Sequence, residues 1–208
     1  MNLDILLQNW EKYLLNKIKP VVEKSNDKIE GNIYSEGGKY IPCKSLYYKQ
    51  KNISELVSNA PKGTEILEIG FNAGYSSLLM LMSNPHINLT CVDINSHKYT
   101  SGCFQTIKED YSNINIIYGS STTILPDLHK QNKTYDIIHI DGGHSLPLVK
   151  ADVNNSIKLS HSGTHLIIDD TNLPYINNEC NTLVESNRAT DANVTNGDEY
   201  KHRILTLV

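Results

Sequence analysis

Five short apolar runs at regular intervals constrain this chain more than any other feature. They are 65–69 (EILEI), 88–93 (NLTCVD), 114–118 (INIIY), 136–140 (DIIHI) and 164–168 (THLII). Each has the length of a strand and enough apolar residues to be buried on both faces. Between them lie helical patterns near 75–82, 97–111, 121–130 and 145–159. Strands alternating with helices predict an α/β fold whose parallel sheet is doubly wound. A chain of 208 residues has room for one such domain with a full core.

The flanks follow other rhythms. In residues 3–24, Leu3, Leu6, Leu7, Trp10, Leu14 and Ile18 can share one helical face. Pro20 is expected to kink or end that helix. The apolar stripe must be buried, so it is also a candidate homodimer face. Residues 25–44 are rich in turn formers and read as a loop or lid. A short helix is expected over 51–60, stopped by Pro61-Lys62-Gly63. The chain therefore reads as one domain, with a helical and lid extension over 1–60 and a core over 61–208. After a helix near 175–188, two β-like runs flank Asn196-Gly197, a favoured hairpin turn. This predicts an antiparallel hairpin that brings the sheet to seven strands.

The bulk numbers exclude several classes. A net charge of −4 is no footprint for nucleic acid. No apolar run is long enough to span a membrane, and the N-terminal residues lack a signal-peptide pattern. Cys43, Cys91, Cys103 and Cys180 form no CxxC pair. They read as reduced thiols, which suits the cytoplasm.

Chemistry enters at "EILEIGFNAGYSSLLML" (65–81), where the first strand gives way to a helix. Doubly wound folds bind nucleotide-like ligands at this turn. The loop has neither the Lys of a phosphate-binding GxxxxGK[ST] loop nor the close-set glycines of GxGxxG. It carries Glu68, which would repel a pyrophosphate and suit a cationic ligand. Asp93 ends the second strand, where a carboxylate can accept ribose hydroxyls. Gly119-Ser120-Ser121 follows the third strand, and its small residues leave room for a flat base.

Together these residues resemble the class I S-adenosylmethionine-dependent methyltransferases, from about residue 48 onward. The resemblance implies a Rossmann-like, mainly parallel seven-stranded sheet. By it, Glu68, Gly70, Asn72, Gly74 and Ser76 line the amino-acid end of S-adenosylmethionine. Asp93 holds the ribose, and Ser120 and Ser121 border the adenine.

Two further segments are candidates to carry the reaction. "DIIHIDGGHS" puts Asp141 at the end of the fourth strand with His144 just beyond. "HLIIDDTNLP" puts Asp169 and Asp170 at the end of the fifth. Three carboxylates meeting at one sheet edge are costly unless a cation joins them, and hard oxygen ligands suit Mg²⁺. The segments look like those of metal-dependent O-methyltransferases, closer to the sugar branch than to the catechol branch, which has a Lys in place of His144. That resemblance implies a metal on Asp141, Asp169 and Asp170, with His144 as general base. Asp141 is thus expected to serve catalysis, the metal and the cofactor side at once. His139 lies within a strand run and reads as a packed core residue.

The expected activity is O-methylation of a small polyhydroxylated acceptor, such as a sugar or glycan. Its rivals are a catechol or phenol acceptor and a non-catalytic nucleotide-binding module. The acceptor would be selected by residues 25–48 and by the segment after Asp170, with Tyr34, Tyr40, Tyr47 and Tyr48 either lining that pocket or packing it. Every motif lies beyond residue 24, so removing 1–24 is expected to spare the cofactor site but to impair acceptor use or assembly.

Overall fold

Seven strands form a single sheet in the computed structural model, which describes residues 2–35 and 40–208. They are β1 (Glu65–Ile69), β2 (Asn88–Asp93), β3 (Ile114–Tyr118), β4 (Ile137–Ile140), β5 (His165–Ile168), β6 (Ala189–Asp191) and β7 (Arg203–Leu207). Their order is β3-β2-β1-β4-β5-β7-β6. The first five pair in parallel, and β7 runs antiparallel to both β5 and β6. The predicted α/β sheet is therefore the observed one. β1 pairs with β2 on one side and β4 on the other, so the winding reverses beside β1. The crevice at such a reversal is where open α/β sheets hold ligands.

Alternation along each strand divides the core in two. Ile66, Cys91, Ile114, Ile137, Ile167 and Ile204 belong to one buried cluster. Leu67, Val92, Ile138, Leu166 and Leu205 belong to the other. Helices α4 (Tyr75–Ser83) and α5 (Thr100–Asp110) contribute to the first cluster. Helices α6 (Ser121–Lys130), α7 (Leu146–Lys158) and α8 (Pro174–Glu185) contribute to the second.

The extension is built into the first cluster. Helix α1 (Leu3–Tyr13) starts at Asn2, whose side chain accepts from the Ile5 amide. It continues through a π-helical turn, Leu14–Ile18, into α2 (Lys19–Ser25). Pro20 does not break this run. It lies in the first turn of α2, where its missing N–H matters least, and the wider π turn precedes it. Asn26 ends the helix in the left-handed conformation, with φ 55°. Leu6, Trp10, Leu14, Ile18 and Val22 are all buried, and the Trp10 indole donates to the Tyr75 carbonyl at 3.0 Å. The stripe read as a dimer face is covered by the chain's own domain.

Two boundaries differ from expectation. Helix α3 (Tyr47–Ser58) begins at Tyr47 rather than at residue 51, following a 3₁₀ turn over Lys44–Leu46. Asn196-Gly197 is not a two-residue hairpin turn. It lies within the longer 192–202 connection, which folds back onto the extension. The Asn52 amide donates to the Thr195 carbonyl at 2.7 Å. A Cβ on Gly197 would come within 2.4 Å of the Ser45 carbonyl oxygen. This tertiary packing overrides the local turn preference. Among the described residues, no helix is long and apolar enough to cross a membrane. Of the expected lid, residues 36–39 lie outside the described residues.

Candidate active site

A cavity of about 640 Å³ opens at the carboxyl ends of the strands, on both sides of the β1–β4 reversal. Gly70, Asn72, Ser76, Asp93, Ser120, Ser121, Asp141, His144, Asp169 and Asp170 all line it. Glu68 and Gly74, also expected at the cofactor, are not among the lining residues.

Glu68 is fully buried beneath the loop. Its carboxylate accepts from the hydroxyls of Ser76 and Ser77, faces His139 Nδ1 at 3.1 Å and takes the Cys91 thiol at 3.6 Å. The acid placed by sequence at the cofactor's amino-acid end instead ties the first turn of α4 to β4 and β2. Ser76 lines the cavity, but its hydroxyl is engaged in that tie. Gly74 serves packing as well. It has φ 76°, and a Cβ there would meet the Phe71 ring at 2.5 Å.

Asp93 is mostly buried and joins two loops. Oδ2 accepts from the Asn72 amide at 2.8 Å, and Oδ1 from the Asn95 amide at 2.6 Å. A carboxylate has about four lone-pair sites, so capacity remains for ribose hydroxyls. Asn72 sits at φ 54°. Its side chain donates to the carbonyls of Glu30 and Gly31 and accepts from the Tyr99 hydroxyl at 2.7 Å. The 30–33 segment thereby becomes a wall of the cavity. Tyr34, Tyr40, Tyr47 and Tyr48 do not line it. Tyr34 packs edge-on against Trp10 and donates to Glu11 at 2.6 Å.

Level register carries Asp141 and Asp169 to the same edge, because Ile140 pairs with Ile168. The two acids after β5 then diverge. Asp170, at φ 52°, meets His144 Nε2 at 2.8 Å. The Tyr175 hydroxyl donates to the His144 carbonyl at 2.7 Å and steadies the loop. The Asp170 hydrogen bond raises the His144 pKa against the opposing effect of burial. Burial pushes the Asp170 carboxyl up, but the His144 bond and charge, with Lys49 nearby, bring it below its usual range.

Asp169 is buried and is held by Lys49, which sequence reasoning missed. Lys49 comes from α3 and is itself buried. Its ammonium contacts Asp169 Oδ2 and lies 3.7 Å from Asp141 Oδ2. The available signal was a run of polar residues on the inner side of α3, where Lys49, Gln50, Asn52 and Ser54 are all buried. The expected helix start at residue 51 concealed it.

Among the described residues, the expected metal set of Asp141, Asp169 and Asp170 is not one of the trios whose donor atoms all lie within 4.8 Å of one another. Two other groups of candidate donor atoms lie within 4.8 Å of one another. One is His139, Asp141 and Asp169, and the other is Asp141, His144 and Asp170. His139 is a core residue, as expected. Nδ1 faces Glu68, and Nε2 has no protein partner.

A doubly wound sheet with a cavity at its reversal, an acid at the end of β2 and a His–Asp pair beyond β4 and β5 defines a class I methyltransferase fold. The family model described as "Methyltransferase domain" matches residues 67–171. The chain belongs to that family, among the S-adenosylmethionine-dependent methyltransferases of class I. No curated protein matches the sequence. Several solved structures share the fold. The cofactor-bound protein Rv0187 from MTB is 15% identical with a TM-score of 0.67, over 93% of this chain and 88% of that one. The O-methyltransferase TomG from Streptomyces achromogenes, in complex with SAM, is 16% identical with a TM-score of 0.65, over 93% and 89%. The O-methyltransferase from Bacillus cereus, in complex with SAH, is 16% identical with a TM-score of 0.64, over 97% and 99%.

Proposed function

We propose that the chain transfers a methyl group from S-adenosylmethionine to a hydroxyl of a small polyhydroxylated acceptor, such as a sugar or glycan. The observation that carries this is the His144–Asp170 pair, which lines the same cavity as the glycine loop and Asp93. Bound S-adenosylmethionine supplies an activated methyl group. The chain's residues align the acceptor oxygen and remove its proton. With Nε2–H donated to Asp170, His144 keeps Nδ1 as the proton acceptor. Asp170 orients the ring and stabilises the imidazolium that forms. Oxygen as the acceptor atom is supported by the O-methyltransferases among the solved proteins that share the fold.

A hydroxyl-rich acceptor is supported by the carboxylates of Glu30, Asp141 and Asp170 among the residues that line the cavity. A second reading keeps a divalent cation such as Mg²⁺ at the site. It is favoured by the grouping of Asp141, His144 and Asp170, which offers two carboxylates and an imidazole. An ion held there would orient and acidify the acceptor hydroxyl. The reading extends to a reducing, cytoplasmic setting, supported by four unpaired cysteines.

Calorimetry with S-adenosylmethionine and S-adenosylhomocysteine tests the cofactor half. A methyl-transfer screen over sugars, nucleotide sugars and catechols tests the acceptor half. Binding of NAD without either sulfur ligand would defeat the reading. Transfer confined to catechols would move the acceptor to the phenol class.

A further inference from the structure

We propose that the Lys49 ammonium stands where a divalent cation would otherwise join the carboxylates, so the chain transfers methyl groups without a metal. The inference rests on the methyl-transfer reading of the same site, deepens it, and decides against its divalent-cation version. Asp141 and Asp169 end neighbouring strands, and repulsion between them must be offset. Lys49 does this from within the fold. Its ammonium touches Asp169 Oδ2, lies 3.7 Å from Asp141 Oδ2 and lines the cavity.

The placement is built. Lys49 is 5% exposed and Asp169 is 5% exposed, so the pair is shielded from competing water. Neighbouring side chains fix the helix that carries the lysine. Gln50 donates to the Ile33 carbonyl at 2.6 Å, and Asn52 to the Thr195 carbonyl at 2.7 Å. An ammonium has three donors, and Asp169 takes one. At 3.7 Å, Asp141 is within ion-pair range but beyond hydrogen-bond reach. Donors therefore remain for an acceptor oxygen, a role otherwise given to a metal's open position.

The same geometry predicts a latent site. A ring nitrogen of His139 and carboxylate oxygens of Asp141 and Asp169 lie within 4.8 Å of one another, and Lys49 reaches both carboxylates. Without the ammonium they form an imidazole–dicarboxylate set suited to Mn²⁺.

The test titrates purified, chelator-treated protein with MnCl₂, read by calorimetry and by loss of the free-ion EPR signal. Wild type is expected to show no saturable Mn²⁺ binding. Lys49→Met is expected to gain it, and Lys49→Met with Asp169→Asn to lose it again. Saturable Mn²⁺ binding by wild type that Asp169→Asn or Asp170→Asn abolishes would overturn the inference. So would a folded Lys49→Met variant that stays silent. If Lys49→Met does not fold, the wild-type titration decides alone, silence supporting the inference and carboxylate-dependent binding overturning it. A parallel titration with S-adenosylhomocysteine reads the methyltransferase assignment, so the two failures are distinguishable.

Discussion

A Cβ placed on Gly70 would stand 2.1 Å from the carbonyl oxygen of Asp141. The loop that follows β1 and the loop that carries the catalytic candidate are thus in backbone contact. Any side chain at residue 70 must push Asp141 away, and φ 95° adds strain. Gly70→Ala is expected to lose S-adenosylhomocysteine affinity and thermal stability together. The backbone conformation alone costs about 1–3 kcal/mol. Gly63→Ala is the control, because Gly63 has φ 84° and nothing within 4 Å. A Gly70→Ala variant that melts and binds like Gly63→Ala would show that the loop contact is unimportant.

Asp93 is expected to affect the cofactor through two routes. It lines the cavity, where it is expected to meet the ribose, and it holds the Asn72 and Asn95 amides. Asp93→Ala should weaken S-adenosylhomocysteine binding by about 1–3 kcal/mol, the range for losing hydrogen bonds to a charged group. Asp93→Asn keeps an acceptor and should lose less. Calorimetry on both variants checks the order.

The His144–Asp170 pair gives activity a pH dependence of definite sign. A base must be neutral to act, and Asp170 raises the His144 pKa. Turnover should therefore climb as pH rises through a midpoint above the ordinary imidazole value. Asp170→Asn removes the cause, so the midpoint should fall. His144→Ala should cut turnover by about 10²–10⁴-fold while leaving cofactor binding intact. Stability runs the other way. The histidine's contribution is present at low pH and is lost as pH rises through its raised pKa. The aspartate's is present above its ordinary carboxyl range and is lost as pH falls through its depressed pKa. The pair is tightest between these limits, where the base is still protonated. A pH–rate profile of each variant tests the assignment.

The N-terminal helices now lead to the opposite of the sequence expectation. Removing residues 1–24 takes Leu6, Trp10, Leu14, Ile18 and Val22 out of the core. The truncated chain should fail to fold or should melt far lower. Trp10→Ala alone should cost about 3–5 kcal/mol in chemical denaturation. Cofactor affinity unchanged after truncation would refute this.

The sheet was legible because burial on both faces writes strands as apolar runs. β1, β2 and β3 begin and end where those runs do. The acids and His144 were legible as strand-end positions. What failed depends on contacts distant in sequence. Glu68 faces a cofactor in the linear reading, but it is captured by two serines and His139, residue 139 being on another strand. Asn196-Gly197 reads as a tight turn, but its loop is held by α3 through Asn52. Lys49 lay outside every motif, because its partner Asp169 comes from the far end of the fold.

The position of β7 between β5 and β6 sets an order of assembly. β6 precedes β7 in the chain, yet its pairing is to β7, so it cannot join the sheet first. Until Arg203–Leu207 have been made and have docked, β5 presents a bare edge immediately before Asp169 and Asp170. Unpaired edges invite pairing with other chains. A nascent or nicked chain lacking β7 is therefore expected to be the aggregating species, and Asp169 and Asp170 to be among the last groups set in place.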